Sequence, residues 1–168
     1  MSHTTARAWI STRQATFVLH LFPPHQRSFS KRVIRTPKLY FTDTGLLCNL
    51  LRIRDSADLA MHAMHGAIFE TFVASEYLKA FTHLGVPSPL YFWRDRTGHE
   101  VDLVIDDGKR LLPIEVKASR TITGALFDGL RWFGELGTPA APRGVLVHGG
   151  DDAYEREGHV TRPWFQCT

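Results

Sequence analysis

The chain has 168 residues, which is enough to bury one good hydrophobic core but hardly two full domains. Hydrophobic residues make up 43% and charged residues 22%, a balance typical of globular proteins that excludes an intrinsically disordered chain. The longest uncharged apolar stretches, such as residues 17–24, are too short to span a bilayer, so we expect a cytoplasmic protein with no membrane partner.

Charge is distributed unevenly along the chain. Residues 1–54 contain nine Lys and Arg and a single acidic residue, a net charge of +8, whereas the remainder carries a net charge of −5. Such a cationic segment suits an anionic partner such as nucleic acid, although a solvated surface or a contact for an acidic domain fits it equally well. The residues that we predict to bind nucleic acid are Lys31, Arg32, Arg35 and Lys38.

The first segment, residues 1–54, predicts helix, strand, basic loop, strand and helix in that order. Helical spacing covers residues 6–14, strand patterns cover 16–22 and 38–44, and a short helix begins at Gly45. A basic loop between two strands that follow a helix resembles the second half of a winged-helix module, with two of that module's helices missing. The change in the sign of the charge predicts a domain boundary near Arg54, with a second domain at 55–168.

The second segment predicts the order α-β-β-β-α-β with one further strand. A helix is expected at residues 65–82 and another at 125–136. The predicted strands are "PLYFWRD", "HEVDLVI", "RLLPIEVKA", "RGVLVHG" and a weak last strand, "GHVTRPWF". Strands that alternate with helices in this way predict an α/β domain.

The strands "HEVDLVI" and "RLLPIEVKA" are predicted to form a hairpin. Asp107-Gly108 is the signal for a two-residue type I′ turn. The pairs that follow from this turn are Asp106 with Lys109, Leu103 with Leu112, and Val101 with Ile114. One face of the hairpin then becomes apolar, while Asp102, Glu115 and Lys117 share the other face.

These three ionisable groups on one face predict a metal site. Asp102 and Glu115 are close enough in this register to hold one Mg²⁺ or Mn²⁺ ion, which would offset the repulsion between two buried carboxylates. Lys117 could hold a water molecule or neutralise a phosphate oxygen. Glu70 lies on the helix predicted at 65–82 among small and apolar neighbours, so we expect it to face the same site. Taken singly, each of these charges also fits an exposed sheet surface.

The residues "EVDLVI" and "PIEVKAS" resemble the PD-(D/E)xK nuclease signature, in which an Asp on one strand precedes Glu-x-Lys on the next. The stretches "PKLYFTDTGLLCNLL", "GAIFETFVASEY" and "YFWRDRTGHEVDLVI" extend the resemblance to the carboxy-terminal domain of a bacterial and archaeal family of AAA-type P-loop ATPases.

The resemblance implies a restriction-endonuclease-like core, αβββαβ, preceded by the partial winged-helix-like segment. It also implies that Asp102 and Glu115 bind Mg²⁺ together with the main-chain carbonyl of Val116, that Lys117 positions the attacking water, and that Glu70 is an auxiliary acid.

Two functions follow as hypotheses. The first is a metal-dependent nuclease that hydrolyses DNA or RNA. The alternative is a catalytically silent nuclease-fold module that binds nucleic acid, regulates an ATPase or docks against another domain. The chain contains no G-x-x-x-x-G-K-[ST] motif, so we expect a fragment or a stand-alone copy whose candidate protein partners are an upstream ATPase module or a second copy of the chain.

Overall fold

The structure is a computed structural model that describes residues 2–25, 34–136 and 143–167. It consists of a six-stranded mixed sheet with a long helix on one face, a shorter helix on the other face and a separate two-stranded hairpin. The prediction of an α/β protein is therefore confirmed. None of the helices within the described residues is long and apolar enough to cross a membrane.

Five elements precede the long helix. They are α1 (His3–Ala15), β1 (Leu19–Phe22), β2 (Lys38–Phe41), α2 (Thr44–Leu50) and α3 (Ser56–Met61). The first four follow the predicted order, and β1 pairs antiparallel with β2. The short helix α3 was not predicted, because its six residues span fewer than two turns. It begins where the Asp55 side chain accepts hydrogen bonds from the backbone N–H groups of Ala57 and Asp58.

Beyond β1, the chain runs along the outer edge of the first strand of the large sheet, β3 (Leu90–Arg94). Phe92 donates its backbone N–H to the carbonyl of Pro23 at 3.2 Å, and His25 donates to the carbonyl of Phe92 at 2.8 Å. Ile34 donates to the carbonyl of Arg94 at 3.0 Å. The first segment is thus hydrogen-bonded to the sheet on both sides of residues 26–33.

The long helix α4 (His65–His83) has nearly the predicted bounds and covers one face of the sheet. Its buried residues Val73 and Ala74 lie in one cluster with the sheet residues, and Phe22 and Tyr40 of the β1–β2 hairpin belong to the same cluster. The first segment therefore shares this core with the second. The domain division at residues 54 and 55 stays a prediction.

The large sheet has the strand order β3-β4-β5-β6-β8-β7. Its remaining strands are β4 (Glu100–Asp106), β5 (Leu111–Lys117), β6 (Val145–His148), β7 (Tyr154–Arg156) and β8 (His159–Pro163). Pairs β5–β6 and β6–β8 are parallel and the other pairs are antiparallel. Helix α5 (Asp128–Glu135) follows a 3₁₀ turn (Gly124–Phe127), and its buried residues Leu130 and Phe133 pack on the face opposite α4. A second 3₁₀ turn (Trp164–Gln166) follows β8.

The register predicted for the β4–β5 hairpin is wrong by two positions. Leu103 lies opposite Ile114, and Ile105 lies opposite Leu112. The turn is centred one residue later than expected. The Asp107 side chain accepts the backbone N–H groups of Lys109 and Arg110, so Asp107 is the residue before the two central residues of the turn and not one of them. Of the two central residues only Gly108 has a positive φ, which is the pattern of a type II′ turn.

A β-bulge in β4 also changes the predicted faces. Trp93 pairs with Val101 while Tyr91 pairs with Val104, so two residues of β4 oppose one residue of β3. Val101 consequently lies in the cluster on the α5 face, whereas Leu103 lies in the cluster on the α4 face. The prediction that these two side chains share one apolar face is wrong. The bulge re-orients the strand at Asp102, which lies between them.

Candidate metal centre

Asp102 lies at the point where β4 and β5 stop pairing. Its side chain replaces a ladder hydrogen bond, because Oδ2 accepts the backbone N–H of Val116 at 3.0 Å. The same oxygen lies 3.4 Å from Nζ of Lys117, and Oδ1 lies 3.5 Å from Nζ of Lys38. Asp102 is only 7% exposed, so these contacts compensate a largely desolvated charge.

Glu115 and Lys117 come from the adjacent strand. Glu115 follows Ile114, the last residue of β5 that pairs with β4, and so lies next to the end of the ladder at Asp102. Oε1 of Glu115 lies 2.6 Å from Nζ of Lys117. Oε2 is buried and has no hydrogen-bond partner among the residues that the structure describes. The structure thus brings together Asp102, Glu115 and Lys117, and one carboxylate oxygen in this group remains free to bind a cation or a proton.

The charges in this group shift each other's protonation. Burial and the negative charge of Asp102 raise the pKa of Glu115 to about 8, an effect that Lys117 only partly offsets. Burial by itself would lower the pKa of Lys117, but Asp102 and Glu115 outweigh it and the pKa is raised. Lys117 is therefore a fixed cation near neutral pH, and the raised pKa of Glu115 means that a divalent ion would compete with a proton for this carboxylate.

Glu70 is connected to Asp102 through Lys38, which contacts both carboxylates. Its Oε1 accepts a hydrogen bond from Nζ of Lys38 at 2.8 Å and from the hydroxyl of Tyr40 at 2.6 Å. Burial and the charge of Glu70 raise the pKa of Tyr40, so this hydroxyl remains a donor. Glu70 joins helix α4 to strand β2, and its role as an auxiliary metal ligand stays a prediction.

Lys38 was predicted to bind nucleic acid, but its side chain points into the acidic group. Its Nζ contacts Glu70, Glu100 and Asp102, and the side chain is 15% exposed. Arg35 is exposed, as a nucleic-acid contact requires. Lys31 and Arg32 lie outside the described residues. The predicted basic surface is therefore not continuous with Lys38.

Glu100 is a further carboxylate that the sequence reasoning missed. Besides Lys38, it contacts Arg94 of β3, whose Nε donates to Oε2 at 2.7 Å. In the sequence, Glu100 stands two residues before Asp102, which is the spacing of side chains on one face of a strand. The bulge between β3 and β4 interrupts this alternation, so the spacing alone would not have located Glu100.

A cavity of about 590 Å³ opens beside Glu115 on the α5 face of the sheet. Helix α5 approaches Glu115 closely because residue 129 is glycine. A Cβ atom there would lie 2.7 Å from the carbonyl oxygen of Glu100 and 2.9 Å from Oε2 of Glu115. The wall of the cavity includes Trp132, on which the ring of His99 stacks with centroids 4.3 Å apart. Glu115 therefore lines an accessible cavity, and its Oε2 atom is itself buried against helix α5.

The donor set fits Mg²⁺ or Mn²⁺. Among the described residues no three His, Cys, Asp or Glu side chains converge closely enough to hold an ion by themselves. Mg²⁺ does not need such a cluster, because it commonly uses one or two carboxylates and keeps several waters. Asp102 and Glu115 would supply those carboxylates. Since the N–H and C=O of a residue in an antiparallel strand face the same neighbour, the Val116 carbonyl points toward β4 as well.

Glu115→Gln is expected to change how stability depends on pH. In the wild type the pKa of Glu115 is higher in the folded state, about 8, than the reference value of 4.5. The folded state then binds more protons between these values, so the free energy of unfolding falls as pH rises through this window. Without metal, Glu115→Gln should remove this loss and be more stable than the wild type at pH 8, by an amount on the order of a few kcal/mol.

Urea unfolding in EDTA at pH 5, 6, 7 and 8 measures this difference. Glu155→Gln is the matched control, because the Glu155 side chain is 60% exposed. Parallel pH profiles for the wild type and Glu115→Gln would contradict the raised pKa.

Comparison with known proteins identifies the family. Residues 65–165 match the profile of the "Domain of unknown function (DUF4143)", and residues 1–57 match that of the "Domain of unknown function (DUF8612)". The uncharacterized proteins Mb2031c of Mycobacterium bovis and Rv2008c of Mycobacterium tuberculosis are each 34% identical over 134 residues. That alignment covers 76% of this chain and 30% of each relative, so the chain spans less than a third of their length. Glu70, Asp102, Glu115 and Lys117 lie within the first of these matches and Lys38 lies within the second, and the chain belongs to the DUF4143 family.

Proposed function

We propose that this chain is a metal-dependent phosphodiesterase that cleaves nucleic acid. The observation that carries the proposal is the convergence of Asp102, Glu115 and Lys117 where β4 and β5 separate. Paired carboxylates with an adjacent ammonium match the needs of phosphodiester hydrolysis, in which negative charge develops on the phosphate as water attacks.

The order α4-β3-β4-β5-α5-β6 supports the proposal, since it is the order expected for a PD-(D/E)xK nuclease core. In such a core, Asp102 and Glu115 would hold the ion together with the Val116 carbonyl. A divalent cation bound there would supply positive charge to the scissile phosphate and lower the pKa of a coordinated water.

Lys117 acts as a cation and not as a base. Because its pKa is raised, its ammonium stays protonated at neutral pH and can donate to a phosphate oxygen or to the attacking water. The side chain is 34% exposed, so it can reach a bound phosphodiester while its Nζ remains next to both carboxylates. A bound ion would compete with a proton for Glu115, whose carboxylate would serve as ligand.

A second candidate is a silent nuclease-fold module. It is favoured by the position of Lys38, an internal cation that already contacts Asp102 and Glu70. In this case the first segment would bind nucleic acid through a winged-helix-like hairpin, or the chain would regulate an ATPase module. Relatives more than three times as long as the aligned segment are compatible with such a partner.

Cleavage assays test the first proposal. The purified chain is incubated with supercoiled plasmid, single-stranded DNA and single-stranded RNA in Mg²⁺, in Mn²⁺ and in EDTA. We expect cleavage with either metal and none in EDTA. Lys117→Ala should reduce the rate about 100-fold or more, because the developing charge loses its nearest ammonium. Lys109→Ala, at an exposed position of the hairpin turn, is the control and should cut at the wild-type rate.

Two outcomes would contradict cleavage as the function. One is no metal-dependent cutting of any substrate, and the other is equal cutting by Lys117→Ala. If the protein instead binds nucleic acid with an affinity that falls steeply with salt and is unchanged in Lys117→Ala, the silent module is the better account.

A further inference from the structure

The ammonium of Lys38 lies inside the candidate metal centre, although Lys38 belongs to a strand 64 residues away from Asp102 in sequence. We propose that Lys38 is an internal counter-ion that competes with the divalent cation for Asp102 and so sets the metal affinity of the centre. This inference rests on the proposed function, because it requires that Asp102 binds a metal ion.

Three carboxylates surround this one ammonium. Nζ lies 2.8 Å from Oε1 of Glu70 and 3.5 Å from Oδ1 of Asp102, and it forms an ion pair with Glu100. The side chain also lies over the ring of Phe92, with Nζ 5.7 Å from the centroid. Burial lowers the pKa of Lys38, but the carboxylates outweigh it, so the group remains charged in this position.

Lys38 occupies the side of Asp102 that an ion would need. Oδ2 of Asp102 is already engaged by the Val116 N–H and by Lys117. The oxygen left for a metal is Oδ1, which faces Lys38. Mg²⁺ binds carboxylate oxygen at about 2.0–2.1 Å, so an ion on Oδ1 would lie within a few ångströms of the ammonium. Two positive charges so close in a half-buried site repel strongly.

The ion pair between Lys38 and Glu70 is part of the packing between strand β2 and helix α4. Lys38 and Tyr40 alternate along β2, and both bind Oε1 of Glu70. The Tyr40 ring packs edge-on against Phe22 of the same hairpin with centroids 4.9 Å apart, and both rings lie in one buried cluster with Val73 and Ala74 of α4. When an ion binds Asp102, Lys38 can move away and still keep Glu70 and Glu100 as partners. Displacement therefore does not leave an unpaired buried charge.

The experiment measures metal binding directly. Mn²⁺ is titrated into the wild type and Lys38→Met in the absence of nucleic acid, with free Mn²⁺ followed by electron paramagnetic resonance. We expect the dissociation constant to fall at least about tenfold in Lys38→Met, since the competing charge is gone. Lys79→Met is the matched control for a general loss of positive charge, because Lys79 pairs with Glu76 on the exposed side of α4. It should bind as the wild type does.

If Lys38→Met does not fold, a second comparison tests the same competition. Lys38→Met combined with Glu70→Gln removes one cation and one carboxylate, so the local net charge is unchanged. It should still bind Mn²⁺ more tightly than Glu70→Gln alone. If neither comparison gives tighter binding while the wild type binds Mn²⁺, the competition is refuted and the proposed function stands. If no variant binds Mn²⁺, both fail.

Discussion

Asp102→Asn is expected to abolish metal-dependent cleavage and to lower the free energy of unfolding by about 3 kcal/mol. Asp102 is the common partner of Lys38, Lys117 and the Val116 N–H. The amide can still accept the backbone hydrogen bond, but it leaves two ammonium groups facing a neutral side chain. It also removes a negative charge from the proposed metal site, which should reduce the proposed cleavage on the order of 100-fold or more.

Initial cleavage rates in Mg²⁺ and urea unfolding in EDTA measure the two effects separately. Asp151→Asn is the matched control, because Asp151 is 65% exposed and pairs with Arg120 at the surface. Its stability should change by less than about 0.5 kcal/mol. Wild-type cleavage by Asp102→Asn would exclude this residue from the centre, and unchanged stability would mean that its buried ion pairs contribute nothing.

Gly149→Ala should destabilise the fold by about 3 kcal/mol and lower the melting temperature by roughly 10 °C. Gly149 follows β6 and donates its backbone N–H to the carbonyls of Lys117 and Ser119. A Cβ atom at this position would lie 2.3 Å from the carbonyl oxygen of Ala118, which is backbone and cannot rotate away. The ends of β5 and β6 would have to move apart immediately after Lys117.

Gly66→Ala is the control for this substitution. Gly66 lies in α4, and an added Cβ meets nothing within 4 Å. Alanine should therefore stabilise that helix by about 0.5–1 kcal/mol. Thermal unfolding of both variants decides the comparison, and equal melting temperatures would show that the close approach at Gly149 can relax freely.

Local patterns predicted most of the secondary structure. Helix α4 is a long segment of largely apolar residues without Gly or Pro in its interior, and strands β3 to β6 are short runs of apolar and aromatic residues, so both types of element stand out. The strand β7 did not, because its three residues are exposed and polar. Its turn into β8 has positive φ at Glu157 and Gly158, a type I′ pattern in which glutamate is an uncommon residue.

The candidate centre could be predicted only where its residues are near each other in sequence. Glu115 and Lys117 alternate on one strand, so their common side follows from the period of a strand. We predicted their closeness to Asp102 although the predicted register was wrong, because a register shift of two positions does not by itself move Glu115 or Lys117 to the other face of the sheet. Lys38 could not be located in this way, since its position depends on how the β1–β2 hairpin packs against helix α4.

The run of residues 23–25 along β3 has a consequence for association between molecules. An open strand edge offers unpaired N–H and C=O groups to another chain, and it is a frequent starting point for aggregation. Here the hydrogen bonds of Pro23, His25 and Ile34 protect one edge of the sheet, and the short charged strand β7 forms the other. A fragment without the first segment would expose β3 together with the apolar surface under Phe22, and would tend to self-associate through that edge.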